Sequence, residues 1–180
     1  MTRLVALLRG INVGKAKRVA MADLRELLAS MAYTDVRTLL NSGNVVFSAA
    51  KGTPKAHAQK IKDGIESQLG VSCAVVVKTA ADIASAIAEH PLKKSANDPS
   101  RLLVLFTQDD SSLASLAKHA EQDWQPEAFA VGKHAAYLWC ANGIIESQVA
   151  KAVGRAAGEH GTTRNWATVE KLHALAQDAG

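Results

Sequence analysis

Five consecutive apolar residues near the start of the chain, from Leu4 to Leu8, constrain the fold more than any other feature. A strand with one face in water alternates apolar and polar residues, so this unbroken run predicts a strand covered on both faces. Gly10 ends the run, and Gly14 allows a second tight bend. From Met21 the apolar residues recur at three- and four-residue spacing, which predicts a helix. A buried strand therefore leads through a glycine-bearing loop into a helix.

The next 60 or so residues continue this order. Two strand-like runs flank the turn residues Asn41 to Asn44, which predicts a hairpin. Thr53 and Pro54 have the chemistry of a helix start, and Gly70 has that of a helix end. Cys73 to Lys78 predicts a further strand. The resulting order, β-α-β-β-α-β, is the split β-α-β or ferredoxin-like pattern.

The order then restarts after a polar segment. Residues 91–100, which contain Asn97, Asp98 and Pro99, are the best linker candidate. The segment from Arg101 to Phe106 is an arginine followed by five apolar residues, the same pattern as Arg3 to Leu8. The second half predicts β-α-β-β-α without a last strand, followed by a final helix at about Asn165 to Ala179. We therefore predict an α+β fold of two ferredoxin-like halves, residues 1–90 and 101–180, that form one compact body with a C-terminal helix.

Positive charge is concentrated in the first part of the chain. Residues 1–50 carry seven Lys or Arg and three acids, a net charge of +4 that equals the formal net charge of the whole chain. Four of these cations lie in or beside the first loop: Arg9, Lys15, Lys17 and Arg18. A local positive patch of this kind indicates an anionic partner more strongly than general basicity does.

The predicted topology brings polar residues of the hairpin turn to this loop. In a β-α-β-β-α-β sheet the first two strands are parallel, with the third between them. The first loop and the turn therefore lie at the same end of the sheet. Guanidinium, ammonium, amide and glycine N–H groups near a helix start suit an anion. The candidate ligand-binding residues are Arg9, Asn12, Gly14, Lys15, Lys17, Arg18, Asn41, Ser42 and Asn44. The alternative is that Arg9 and the asparagines only tie two turns together.

A later segment, Thr162 to Trp166, has two interpretations. Arg164 and Asn165 could add to the anion site, or the segment could only supply helix-capping residues. The choice between these interpretations stays open at the level of sequence.

Three segments together resemble one known family. LLRGINVGKAKRVAMADLRELL (Leu7 to Leu28), LLNSGNVVF (Leu39 to Phe47) and TTRNWATVEKL (Thr162 to Leu172) are similar, in that order, to the motifs of the bacterial domain-of-unknown-function family 1697. The resemblance implies a two-part α+β fold related to ferredoxin-like domains and implies no established activity. The chain departs from the family pattern at Lys15, Ala20 and Ala167, where a glycine, a proline and an asparagine are usual.

Other site types have no support in the sequence. The six histidines lack metal-ligand spacing, and Gly10 to Lys15 is one residue short of a P-loop and is followed by Ala16 instead of Ser or Thr. We therefore predict no cofactor and no metal. No apolar run approaches a membrane span, and a secretory signal pattern is missing, which predicts a cytoplasmic protein without a membrane partner.

Three function classes remain. The first is a binding module for a phosphorylated metabolite, nucleotide or nucleic-acid backbone at the loop from Arg9 to Arg18. The second is an enzyme of unknown reaction that acts on a phosphorylated small molecule, and the third is a ligand-free assembly protein. The sequence does not decide the oligomeric state.

Overall fold

The computed structural model describes residues 1–178 and contains two four-stranded antiparallel sheets with helices, a mixed α+β fold. The first sheet consists of β1 (Thr2–Arg9), β2 (Thr34–Leu39), β3 (Asn44–Ala49) and β4 (Ala74–Thr79), and the second of β5 (Leu102–Thr107), β6 (Ala128–Val131), β7 (Ala136–Trp139) and β8 (Gly161–Asn165). The α-helices are α1 (Met21–Ser30), α2 (Pro54–Leu69), α3 (Ala80–Glu89), α4 (Asp110–Ala114), α5 (Ala117–Ala120), α6 (Gln148–Ala157) and α7 (Trp166–Gln177). Short 3-10 helices lie at Pro99–Arg101 and Gly158–His160.

Strand β1 is an interior strand, as its apolar run predicts. It pairs antiparallel with β3 on one side and with β4 on the other. The side chains from Leu4 to Leu8 are each at most 1% exposed. Leu4 and Leu8 belong to a core that also contains Leu24 of α1 and Ile61 of α2. Burial of each such side chain contributes about 1.5–3 kcal/mol, which makes this strand the main anchor of the first sheet.

The strand order of the first sheet is β2-β3-β1-β4. Because β3 pairs antiparallel with both β1 and β2, the strands β1 and β2 are parallel and β3 lies between them. The loop after β1 and the hairpin turn after β2 therefore lie at the same end of the sheet, as expected from the sequence.

Local capping chemistry fixes the ends of α2. The hydroxyl of Thr53 accepts a hydrogen bond from the backbone N–H of Ala56 at 3.2 Å, and Pro54 is the first helical residue. Gly70 ends the helix in a left-handed conformation with φ of 66°. Both predicted helix ends are confirmed.

The second sheet corrects two predictions. Its strand order is β6-β7-β5-β8, and β8 pairs antiparallel with β5, with Arg164 opposite Val104. The prediction that the second half lacks its last strand was therefore wrong, because the threonines of this segment suit a strand and its pairing partner lies far away in sequence. The single helix predicted between the first two strands of this half is two short helices, α4 and α5.

The chain divides into two units. The first contains residues 1–80 together with residues 172–178, and the second contains residues 81–171. The predicted linker at 91–100 lies within the second unit in this division. Helix α3 belongs to the second unit, where the Tyr137 hydroxyl donates to the backbone carbonyl of Ala86 at 2.6 Å.

Across residues 1–178, no helix has both the length and the apolar content needed to cross a membrane.

Candidate anion-binding site

Asn12 holds the loop between β1 and α1 in one conformation. Its side-chain Nδ2 donates to the carbonyl of Val19 at 2.8 Å, and its Oδ1 accepts from the N–H of Val19 at 2.9 Å. Its own N–H donates to the carbonyl of Lys17 at 3.0 Å. Asn12 and Lys17 both have positive φ, 56° and 51°, which asparagine tolerates better than most residues. The loop is therefore closed on itself by one side chain.

The same side chain ties the loop to the hairpin turn. Nδ2 of Asn12 also donates to the carbonyl of Asn41 at 2.7 Å, so the adjacency expected from the topology is present. Within the turn, the fully buried Asn44 donates to the carbonyl of Leu39 at 2.8 Å and to the hydroxyl of Ser42 at 2.9 Å. Asn12 and Asn44 thus tie the two turns together through hydrogen bonds, as the alternative interpretation predicts. The same hydrogen bonds hold the loop and the turn in a defined conformation.

Gly43 joins the turn to β1. Its carbonyl accepts from the N–H of Leu8 at 2.8 Å, and its φ is 84°. A Cβ on Gly43 would lie 2.7 Å from Cβ of Leu8 and 2.8 Å from Cδ1 of Ile11. The turn therefore approaches the buried end of β1 more closely than any residue with a side chain allows.

An open cleft of about 360 Å³ lies between the loop and the turn. Arg18, Asn12 and Asn41 line it together with the first residue of α1, Met21. Helix α1 begins after Ala20, which cannot cap it with a side chain, so N–H groups of the first turn have no side-chain acceptor at that position. The cleft thus combines one guanidinium with the positive end of a helix dipole, and Asp23 in the first turn partly offsets that charge.

The other cations of the loop, Arg9, Lys15 and Lys17, do not line this cleft. Lys15, Lys17 and Arg18 are exposed, and within residues 1–178 none of their side chains forms an ion pair or hydrogen bond. Burial raises the pKa of the Cys73 thiol, and the charge of Lys17 partly opposes that rise. Arg18 lines the cleft beside the hairpin turn, whereas Lys17 does not. Gly14 provides a bend with φ of 62° and open space around it, and Arg9 is half-buried at the end of β1.

Two other cations of the first 50 residues share one carboxylate, that of Asp35. Arg3 and Arg37 both form ion pairs with Asp35, that of Arg37 at 3.1 Å. Burial alone would raise the pKa of Asp35, but its hydrogen bonds and ion pairs to Arg3 and Arg37 lower it overall. One negative charge therefore offsets part of the positive charge that lies outside the loop.

Arg164 and Asn165 belong to the second unit. Arg164 is buried in β8, where its guanidinium donates to the hydroxyl of Thr162 and to the carbonyl of Thr163, both at 2.8 Å. Burial lowers the pKa of Arg164 to about 10, so the side chain is still charged at neutral pH. Asn165 accepts from the N–H of Thr168 at 2.9 Å and caps α7, which is the capping interpretation of this residue. A contribution of these two residues to the anion site stays a prediction.

The structure also shows what sequence reasoning missed. Val19, Ala20 and Met21 line the cleft, although they carry no chemistry that marks a site in sequence. The signal that could have found them was their position between the basic loop and a helix start. Among residues 1–178, no group of three or more His, Cys, Asp or Glu side chains is placed to hold a metal ion.

Replacing Asn12 with alanine is expected to lower the free energy of unfolding by about 2 kcal/mol, because two carbonyls and one N–H lose their partner. Urea denaturation measures this change. The matched control is Asn41→Ala, since Asn41 contributes a backbone carbonyl that alanine retains. A change within about 0.5 kcal/mol is expected for the control. Equal effects of the two substitutions would show that the side chain of Asn12 does not organise the loop.

Comparison with known proteins shows where this fold occurs. A family model described as "Protein of unknown function (DUF1697)" matches residues 1–137, which include the whole candidate site except Arg164 and Asn165. The solved structure of the conserved bacterial protein SP0830 from Streptococcus pneumoniae is similar to this chain with a TM-score of 0.75 and 20% identity, over 98% of this chain and 99% of that one. At that identity the similarity shows a shared fold. Comparison with curated proteins gives no match. Because the family model covers well over half of the chain, the protein belongs to the DUF1697 family.

Proposed function

We propose that this protein binds a phosphorylated or polyanionic ligand, such as a nucleotide or a nucleic-acid backbone, at the loop from Arg9 to Arg18. The observation that carries the proposal is the set of three exposed, unneutralised cations on a loop of defined conformation: Lys15, Lys17 and Arg18. Like charges on one short loop repel each other, and an anion relieves that repulsion. A loop with only a structural role gains nothing from the arrangement.

The helix start beside the loop supports the same proposal. Backbone N–H groups at the beginning of a helix bind phosphate and other anions. In α1 the residue before the helix, Ala20, offers these groups no side-chain acceptor, and Arg18 lies in the same cleft. A phosphate oxygen in the cleft would meet a guanidinium and helix N–H groups together.

The spread of the cations favours an extended ligand over a compact one. Arg18 lines the cleft next to the hairpin turn, whereas Lys15 and Lys17 do not line it. A phosphate in the cleft meets Arg18, and a ligand with further phosphates can also contact Lys15 and Lys17. A nucleic-acid backbone is therefore the ligand class that uses most of the loop.

Reversing two of these charges tests the proposal. In Lys15→Glu/Lys17→Glu, affinity for a fluorescently labelled single-stranded oligonucleotide is expected to fall at least about tenfold at low salt, because two attractions to phosphate become repulsive. The salt dependence is expected to weaken as well, by about 0.7 in the log–log slope for each phosphate that the protein no longer neutralises. Fluorescence anisotropy over a salt series measures both quantities. The melting temperature should hardly change, since both side chains are exposed.

The chain offers a control with the same change in charge. Lys93 and Lys94 are adjacent to each other, exposed, and outside the loop. Lys93→Glu/Lys94→Glu should retain most of the wild-type affinity. If both double variants lose affinity equally, the binding follows net charge and not this loop. If the Lys15/Lys17 variant binds as the wild type does, the loop is only a solvated surface.

We also propose that the two sheets are ferredoxin-like repeats. The support is that β2-β3-β1-β4 and β6-β7-β5-β8 are the same order when the four strands of each sheet are numbered alike.

We also propose a cytoplasmic location, which accords with a nucleotide or nucleic acid as ligand.

A further inference from the structure

Two exposed apolar side chains accompany the cations of the basic loop. Val13, within the loop, is 72% exposed, and Leu40, in the hairpin turn, is 53% exposed. Apart from Met1, these are the exposed large apolar residues of the first unit, as far as the structure describes it. Apolar side chains scattered singly over a surface need no explanation, but a pair at one place marks a contact surface.

The hydrogen bond that joins the loop to the turn places these two residues together. Val13 directly follows Asn12, whose Nδ2 donates to the carbonyl of Asn41 at 2.7 Å. Leu40 directly precedes Asn41. Since consecutive Cα atoms are about 3.8 Å apart, both apolar residues lie next to the same hydrogen bond. The three exposed cations belong to the same loop, so this surface combines apolar groups with positive charge.

The backbone of Leu40 is also unusual. Its φ is 58°, in the left-handed region that glycine and asparagine adopt readily and bulky residues rarely adopt. A leucine here costs stability through its backbone and exposes apolar area as well, whereas an asparagine would avoid most of both costs. Strained residues of this kind cluster at sites that bind ligands.

The apolar pair and the cations suit different parts of one ligand. Phosphates account for the cations, but a polymer made only of anionic groups gains nothing from an apolar side chain. A nucleobase has an apolar face, which packs against aromatic or aliphatic side chains once the base has left its stack. In a duplex the bases are already stacked on each other, and separating them costs free energy.

Building on the function proposed above, we infer that the ligand of the basic loop is a single-stranded nucleic acid whose bases contact Val13 and Leu40. Its phosphates pair with Lys15, Lys17 and Arg18, and unstacked bases of the same strand lie against the two apolar side chains. The positive charge of the loop selects a nucleic acid, and the apolar pair selects a single strand over a duplex.

The test measures the affinity of the full chain for three probes by isothermal titration calorimetry at one salt concentration. The probes are a thymidine oligonucleotide of about 16 nucleotides, the duplex of that strand with its complement, and inorganic polyphosphate. The wild type is expected to bind the single strand about fivefold more tightly than the duplex, because only the single strand presents free base faces.

The variant Val13→Thr/Leu40→Asn removes apolar surface and leaves the net charge unchanged. Its affinity for the single strand is expected to fall about fivefold, while its affinities for duplex and polyphosphate change less than about twofold. The melting temperature should hardly change, because asparagine tolerates the φ of Leu40 better than leucine does. Should the double variant not fold, Val13→Ser alone is expected to weaken single-strand binding about threefold.

Another segment of the chain offers the same chemical change as a control. Ile144 and Ile145 are exposed, adjacent to each other and part of the second unit. Ile144→Thr/Ile145→Asn should bind all three probes as the wild type does. An equal loss of single-strand affinity in this control would overturn the inference.

Failure of the proposed function and failure of this inference give different results. If the wild type binds none of the probes, or Lys15→Glu/Lys17→Glu binds them unchanged, the proposed function is wrong and the inference falls with it. If binding depends on the two lysines, the inference alone is overturned by a preference for duplex, by unchanged single-strand affinity in Val13→Thr/Leu40→Asn, or by equal losses for all three probes. Sedimentation velocity adds one more such result: a wild-type dimer that this variant dissociates would mean that a second copy of the chain covers both side chains.

Discussion

Replacing Glu89 with alanine is expected to lower the free energy of unfolding by about 4 kcal/mol, the largest effect of any single exposed or half-buried carboxylate in this chain. Glu89 ends α3, and its carboxylate accepts from the backbone N–H groups of Lys133, His134 and Ala135 at 3.0, 2.8 and 3.2 Å. The hydroxyl of Tyr137 shares its single proton between this carboxylate at 2.9 Å and the carbonyl of Ala86 at 2.6 Å. Three backbone N–H groups of the β6–β7 hairpin therefore lose their acceptor, and the Tyr137 hydroxyl keeps only the carbonyl of Ala86. Urea denaturation measures the total, and amide hydrogen exchange at residues 133–135 gives a local measure.

The same hydrogen bonds make this contribution dependent on pH. Burial alone would raise the pKa of Glu89, but the N–H of His134, the hydroxyl of Tyr137 and the N–H of Lys133 stabilise the carboxylate and lower its pKa overall. A carboxyl group whose pKa is lower in the folded state stabilises the protein above its unfolded-state pKa, here 4.5. That stability is lost as the pH falls through the folded-state pKa. The stability difference between wild type and Glu89→Gln should therefore shrink below about pH 4.5.

The control for Glu89 is another glutamate of the second unit. Glu121 is exposed at the end of α5, and Glu121→Ala should change stability by no more than about 0.5 kcal/mol. A loss at Glu89→Ala no larger than this, or unchanged exchange at residues 133–135, would contradict the assigned role.

Gly43→Val is expected to lower the free energy of unfolding by a similar amount, about 4 kcal/mol, because two costs add there. A β-branched residue at a φ of 84° is strained by about 1–3 kcal/mol. The new side chain also meets buried atoms of Leu8 and Ile11 at less than 3 Å, and overpacking of this kind costs about 1–3 kcal/mol. Thermal and urea denaturation measure the sum.

Gly14→Val separates the two costs. Gly14 has a similar positive φ of 62°, but no atom lies within 4 Å of the position that a Cβ would take. Only the backbone strain applies there, so the difference between the two variants measures the packing of the turn against β1. Equal losses in the two variants would mean that β1 and the turn adjust freely to each other.

Elements of the fold that depend on neighbouring residues could be predicted from the sequence. The burial of Leu4 to Leu8 follows from their own apolar side chains. Thr53 and Gly70 cap α2 through hydrogen bonds to groups three or four residues away. Strand β8 could not be predicted in this way, because its residues are polar and its identity depends on pairing with β5, far earlier in the chain. The separation of α4 from α5 was missed for a related reason, since apolar spacing does not show where a helix is interrupted.

The candidate site was predictable to the extent that topology determines it. Parallel placement of β1 and β2 brings Asn12 to Asn41, and this followed from the element order. Which of the neighbouring cations Lys17 and Arg18 lines the cleft did not follow, because the positive φ of Lys17 is not evident from the sequence.

The division of the chain into units has a consequence for its synthesis. Residues 172–178 group with residues 1–80, so the first unit contains both early and late parts of the chain. A ribosome adds about 5–20 residues per second, so these late residues emerge roughly 5–20 s after residue 80. During that interval β1 to β4 are all available, but the first unit lacks its final segment. A translational pause within residues 81–171 lengthens the time for which this incomplete unit is exposed to proteases and chaperones.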